Sequence, residues 1–192
     1  YLGVCSTYAS LGYTGWGAIP PREAMPKAQS ACREALRLDD TLAAAHAQLG
    51  SILAHYDWDR AAGEASFARA LSLGPSDQLS LQRYAWILST AGRHDEALAE
   101  SARAEGLDPL SVSAQSNHGW LLYWARRYDQ AAQQFARVLA LHPDAPLPNL
   151  MLGIVYLNQG KQAEAIAQVE RALRMSGMTA ATLAQLGHAY AV

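Results

Sequence analysis

Three prolines and a glycine stand at one fixed interval along this chain. The phrases LSLGPS, EGLDPLS and LALHPDA place Pro75, Pro109 and Pro143 34 residues apart, and RMSG puts Gly177 another 34 on. A terminator that recurs at one spacing restricts the fold to a tandem array, because each period is then one supersecondary unit that buries its apolar face only by stacking on its neighbours. The columns upstream keep the same period. Leu73, Leu107, Leu141 and Met175 share an apolar slot, and Ala70, Ala104, Val138 and Ala172 share a small one. Ala97, Ala131 and Ala165 form a second small column. Gly50, Ala85, Gly119, Gly153 and Gly187 form a third, with Leu53, Leu88, Leu122, Tyr156 and Tyr190 three residues later; its first interval is 35 and the others are 34.

Each period divides in two. The breaks TAGRHDEA, ARRYDQA and NQGKQAEA carry Gly92 and Gly160, which suit a helix C-terminus, and an acid often follows in the next first turn, where it complements the helix dipole. Proline then ends the second helix, since it lacks the amide hydrogen and collides with the preceding turn. The small columns let two antiparallel backbones approach closely, and a larger side chain there would overpack at a cost of about 1–3 kcal/mol.

A 34-residue helix–turn–helix unit with these columns resembles the tetratricopeptide repeat. The resemblance covers nearly the whole chain and implies an all-α fold, a right-handed α-solenoid of tandem units. The units expected are 1–40, 41–76, 77–110, 111–144 and 145–178, followed by an incomplete first helix over 179–192. In the first unit the inter-helix connection is stretched over 13–26 by YTGWGAIPPREAMP. In the second, HYDWDRAAGEASFARAL carries one extra residue around the turn, so that Ala61 or Ala62 fills the small slot. The phrases YDWDRAA and LDPL…NHGWLLYWARRYDQA are also similar to repeat regions behind DNA-binding or kinase-type output domains of bacterial regulatory proteins. The chain has no Met start, no basic leader and no cleavage site, so it reads as a piece of a larger protein whose own N-terminus would carry any address; the location expected for it is the cytoplasm.

Composition narrows the partners. Hydrophobic residues make up 51% and charged residues 17% of 192, which is far from the regime of disorder. The net charge is −2, with Lys and Arg scattered, so no footprint for a phosphate backbone is present and nucleic acid is not expected as a direct partner. The longest apolar run, Trp120–Ala125, is far short of the roughly 20 residues that cross a bilayer.

That run belongs to GWLLYWARRYDQA. At 3.6 residues per turn, Ser116, Asn117, Trp120, Tyr123 and Trp124 share one face, while Leu122 points away from it and takes the core column. The three aromatics are surplus to packing within the unit. The resemblance implies that this face of each first helix lines the concave side of the superhelix, where peptides or partner helices lie. The same face carries Arg83 and Trp86 in one neighbouring unit and Ile154, Leu157 and Asn158 in the other. Together these residues form the expected peptide- or partner-binding groove, since aromatics and Arg dominate binding hot spots. An alternative occupant is a small molecule such as a sugar, sensed by a regulator. Arg83 and Asn117 fit in type the clamp with which some relatives hold a carboxylate, but Ala47 and Ser51 stand where Lys and Asn would be. The unpaired apolar face of 179–192 is a further candidate for self-association.

Other chemistry is sparse. GYTGWG lacks the G-x-G-x-x-G order and reads as a connection whose Trp16 tucks onto the first unit. His94, Asp95, Glu96 and Glu100 sit at a helix start with no second His one turn away, so they read as dipole partners rather than metal ligands. Asp57 and Asp59 read as turn and cap residues, and His118 as a hydrogen-bonded interior imidazole. Cys5 and Cys32 face each other across the first unit and are expected as buried free thiols, because nothing else suggests a disulfide framework, with a disulfide between them as the alternative. No Ser/His/Asp order, Walker loop or H-E-x-x-H pattern is present, so the chain reads as a binding scaffold, not an enzyme, with no cofactor and no metal.

Overall fold

The computed structural model describes residues 1–12 and 19–176, together with Ala184, Gly187 and Tyr190. Among the described residues are ten helices and no strand: α1 Leu2–Gly12, α2 Pro21–Leu38, α3 Ala43–His55, α4 Arg60–Leu73, α5 Gln78–Thr90, α6 His94–Leu107, α7 Val112–Trp124, α8 Tyr128–Leu141, α9 Pro146–Asn158 and α10 Gln162–Ser176. Local chemistry starts them. Asp59, Asp77 and Ser111 each accept from a backbone N–H three residues on, at Ala62, Ser80 and Ala114, which satisfies an otherwise orphaned donor. Pro21 and Pro146 occupy first-turn positions where a missing N–H costs nothing.

The turn inside each of the last four hairpins follows one plan. Trp58 (φ 58°), Gly92 (79°), Arg126 (59°) and Gly160 (72°) stand at successive 34-residue intervals, all in the left-handed region. The following amides of Arg93, Arg127 and Lys161 bond back to Leu88, Leu122 and Tyr156 carbonyls at 2.9 Å, the closure that lets a helix stop sharply. At the α3–α4 turn the amide of Asp59 reaches Leu53 O, also at 2.9 Å, six residues back rather than five. The extra residue therefore lies before α4, which restores the period within that helix. As a result Gly63, not Ala61 or Ala62, takes the small slot: it is buried, and a Cβ there would meet Ala54 Cβ at 2.8 Å.

The chain divides into two compact units, Tyr1–Ala104 and Glu105–Val192. In the first, α1 packs on α2 and α3, and α3 on α4 and α5. Cys5, Ala9, Met25, Ala28, Cys32, Leu49 and Ile52 build one core cluster, and Phe67, Ala70 and Ile87 are central to another. Two sequence expectations are corrected here. The first connection is shorter than 13–26, because α2 begins at Pro21 and takes Pro26 into its interior. Pro26 lies past the first turn and forfeits the bond that an N–H there would make to the Arg22 carbonyl, while Ala24 and Met25 beside it are buried against Gly12. Second, Cys5 and Cys32 are not free thiols but a disulfide, with Cα atoms 5.2 Å apart. Small residues bring α1 and α2 together closely enough to reach that geometry: a Cβ on Gly12 would lie 2.7 Å from Ala24 Cβ. The connection GYTGWG and Trp16 fall largely outside the described residues.

In the second unit α7 packs on α8, α8 on α9 and α9 on α10. Each close approach is matched in size. A Cβ on Gly119 would stand 2.8 Å from Phe135 Cζ, and one on Gly153 2.7 Å from Val169 Cγ2. Gln115 and Asn149, 34 residues apart and both buried, donate side-chain amides to the carbonyls of Pro109 and Pro143. They hold the start of one hairpin to the end of the previous one. The incomplete helix expected over 179–192 lies outside the described residues apart from three positions.

Candidate functional site

The predicted groove residues fall in both units, Arg83 and Trp86 in the first and the other eight in the second. In the second unit Ser111 caps α7 and starts it in a register that sends Leu121 and Leu122 into the core and the aromatics to the surface. Ser116 and Asn117 are buried at the base of that face; Trp120 and Tyr123 are half-buried, and Trp124 is 37% exposed. The rings form a ladder. Trp120 lies 6.2 Å from both Tyr123 and Trp124, at interplanar angles of 83° and 71°, the edge-to-face arrangement that the ring quadrupoles favour. Tyr128, the first residue of α8, extends the ladder at 5.7 Å from Tyr123.

From α9, Asn158 donates to Tyr123 Oη at 3.4 Å and to Ile154 O at 2.9 Å, while Ile154 and Leu157 are half-buried. The structure thus brings together Tyr123 and Asn158 from neighbouring hairpins, as a face shared by successive first helices requires. Tyr128 was not legible as part of it, because it follows the turn and belongs to the second helix. The Ser116 hydroxyl is buried with no hydrogen-bond partner among the described residues. No formal charge lies on any of the eight predicted residues in this unit.

In the first unit Arg83 and Trp86 of α5 meet Ser51 and His55 of α3 around a cavity of about 190 Å³. Arg83 Nη1 donates to Oε1 of the buried Gln48 at 2.8 Å, which fixes the guanidinium. Ser51 Oγ donates to Ala47 O at 3.2 Å. Burial lowers the His55 pKa, against a hydrogen bond to the Ser51 backbone that raises it, so the site favours the neutral ring. The cavity can therefore take an apolar or aromatic group beside one fixed cation.

The remaining candidates are structural. His118 is half-buried, and burial lowers its pKa; the Glu105 carboxylate opposes that shift and Arg137 adds to it. His94 Nδ1 meets Ser89 Oγ at 3.2 Å across the α5–α6 turn. Asp59 is a cap, and Asp57 accepts from Gln29. Among the described residues no three His, Cys, Asp or Glu side chains gather to hold a metal, and no helix is long and apolar enough to cross a membrane.

Helix–turn–helix units repeated at one period, with size-matched small columns, define a helical repeat protein. Residues 116–178 match the tetratricopeptide repeat family model, so this part of the chain carries tetratricopeptide repeats. No curated protein matches it. Among solved structures, PilW, a widely conserved type IV pilus biogenesis factor, superposes with a TM-score of 0.75 at 20% identity, covering 99% of this chain and 89% of PilW. YrrB, a tetratricopeptide protein with an unusual peptide-binding site, gives 0.65 at 20%, covering 90% and 86%. A thermophilic tetratricopeptide protein of Thermus thermophilus, TTC0263, gives 0.74 at 17%, covering 98% and 100%. At such identities the likeness is one of fold.

Proposed function

We propose that the chain is an interaction scaffold that holds a peptide or partner helix on the aromatic face of α7 and α9, and that Arg83 and Trp86 form a binding patch of the first unit. One observation carries the reading: Trp120, Tyr123 and Trp124 stay partly exposed on a helix whose core positions are already filled by Gly119, Leu121 and Leu122. Aromatic rings left in solvent cost apolar burial unless a partner covers them. The tetratricopeptide repeat matched by residues 116–178 is a binding scaffold, and the phrases similar to those of bacterial regulatory proteins support a role as the interaction module of a longer regulatory chain. Neither nucleic-acid binding nor catalysis enters this reading.

The test is selection of peptides on the purified chain from a random display library, followed by Trp86→Ala, Trp120→Ala and Trp124→Ala. Loss of at least tenfold in affinity with unchanged helicity supports the face, a change of about 1.4 kcal/mol. Unaltered affinity in all three variants refutes it. Quenching of tryptophan fluorescence by sugars, with no peptide selected, would instead assign the face to a small molecule.

A further inference from the structure

The face of α1 that meets the array is built from small residues. Its buried positions are Cys5, Ala9 and Gly12, with Tyr8 half-buried beside them. The corresponding first helices bury much more: Leu49, Ile52 and Leu53 on α3, Leu121 and Leu122 on α7, Met151, Leu152 and Val155 on α9. Hydrophobic stabilisation follows the apolar area removed from water, so α1 is the first helix held least by burial. It also carries the chain's first cysteine, bonded to Cys32 in the middle of α2 across 27 residues. Both cysteines are fully buried, and the sequence holds no third.

We infer that this chain matures and works in an oxidising compartment, where the Cys5–Cys32 bond clamps its first helix to the array. A disulfide restricts the unfolded chain by closing a loop, and it does so where apolar burial is smallest. Reducing compartments keep such pairs as thiols, so a hairpin that depends on this bond is made for the periplasm, the cell surface or an equivalent space, in place of the cytoplasm expected from sequence. The bond forms by exchange with a protein disulfide donor. One thiolate attacks a donor sulfur to give a mixed disulfide, and the second displaces the donor. Cys5 and Cys32 together lose two protons and two electrons, and the donor leaves as a dithiol. None of this depends on the partner-binding face.

The experiment is thiol trapping on the full-length protein in its native cells. Cells are quenched in acid, denatured, and alkylated with a maleimide-linked polyethylene glycol, with and without prior reduction; labels are assigned to Cys5 and Cys32 by peptide mass. Neither cysteine takes the label before reduction, and both take it after. Labelling of both without reduction overturns the inference. The clamp is read separately on purified protein: dithiothreitol lowers Tm by roughly 10 °C, and a Cys5→Ser/Cys32→Ser variant, if it folds, melts at the reduced value and ignores the reductant. A Tm unmoved by reduction, with both thiols shown to be free, overturns the clamp.

Discussion

Replacing Gly119 with alanine adds one methyl group at a close approach between α7 and α8, and the neighbours set its effect. The new Cβ would stand 2.8 Å from Phe135 Cζ, 2.9 Å from Cε1 and 3.1 Å from Cε2. The ring has to retreat by about half an ångström, and because Phe135 is fully buried in a close-packed interior it has nowhere to go. Overpacking of this kind costs about 1–3 kcal/mol. Alanine regains about 1 kcal/mol of helix propensity over glycine, so the net loss is smaller. Gly106 in α6 isolates the two terms, since a Cβ there meets nothing within 4 Å. Gly106→Ala should gain up to about 1 kcal/mol, placing Gly119→Ala about 1–3 kcal/mol below it. Urea unfolding followed by far-UV circular dichroism measures both. Adding Phe135→Leu to Gly119→Ala should relieve the clash and yield a coupling of about 1 kcal/mol or more in a double-mutant cycle. A Gly119→Ala protein as stable as Gly106→Ala, or additive with Phe135→Leu, would refute the size-matching argument.

Arg126 holds a left-handed conformation that costs a non-glycine residue roughly 1–2 kcal/mol; Arg126→Gly should therefore stabilise the chain by about 1 kcal/mol, and Gly92→Ala should destabilise it by a similar amount, both read by thermal melting. Asp77→Ala removes the acceptor for the Ser80 amide and should cost about 1 kcal/mol in the same assay. The pKa values of His55 and His118 are lowered by burial, so below about pH 6.5 the unfolded chain binds protons that the folded chain refuses. Stability should fall as pH drops through that range and recover above it. His118→Gln should shrink the difference between Tm at acidic and neutral pH, whereas an unchanged difference would show that the imidazole titrates normally.

The period alone disclosed the helices, their pairing and most of the core, because terminators and small residues leave a mark at fixed spacing. Gly50, Gly119 and Gly153 were legible as close-approach positions, and the large partners that demand them, Phe67, Phe135 and Val169, stand one to a unit. What escaped were features decided by geometry between elements. Gly63 displaced Ala61 and Ala62 because the extra residue was absorbed before α4, and only the hydrogen bond from Asp59 to Leu53 shows where. Pro21 to Pro26 look like a helix breaker in sequence, yet Pro21 starts α2 at no cost and the helix runs on through Pro26 with one ladder bond lost. The disulfide was underestimated because two cysteines make no framework; their bonding depends on how closely two small-residue faces approach. The face bearing Trp120, Tyr123 and Trp124 was read from helical spacing, whereas Tyr128 joins it only through the fold of the turn.

The absence of formal charge on the eight predicted residues of α7 and α9 has a kinetic consequence. On the proposed reading, contacts to these residues give a partner no charge pairing, so they act on its residence time rather than on its arrival. Cognate and foreign segments are then not told apart by charge at these residues. Selectivity rests on how slowly the correct one departs, set by how completely the indole rings are covered.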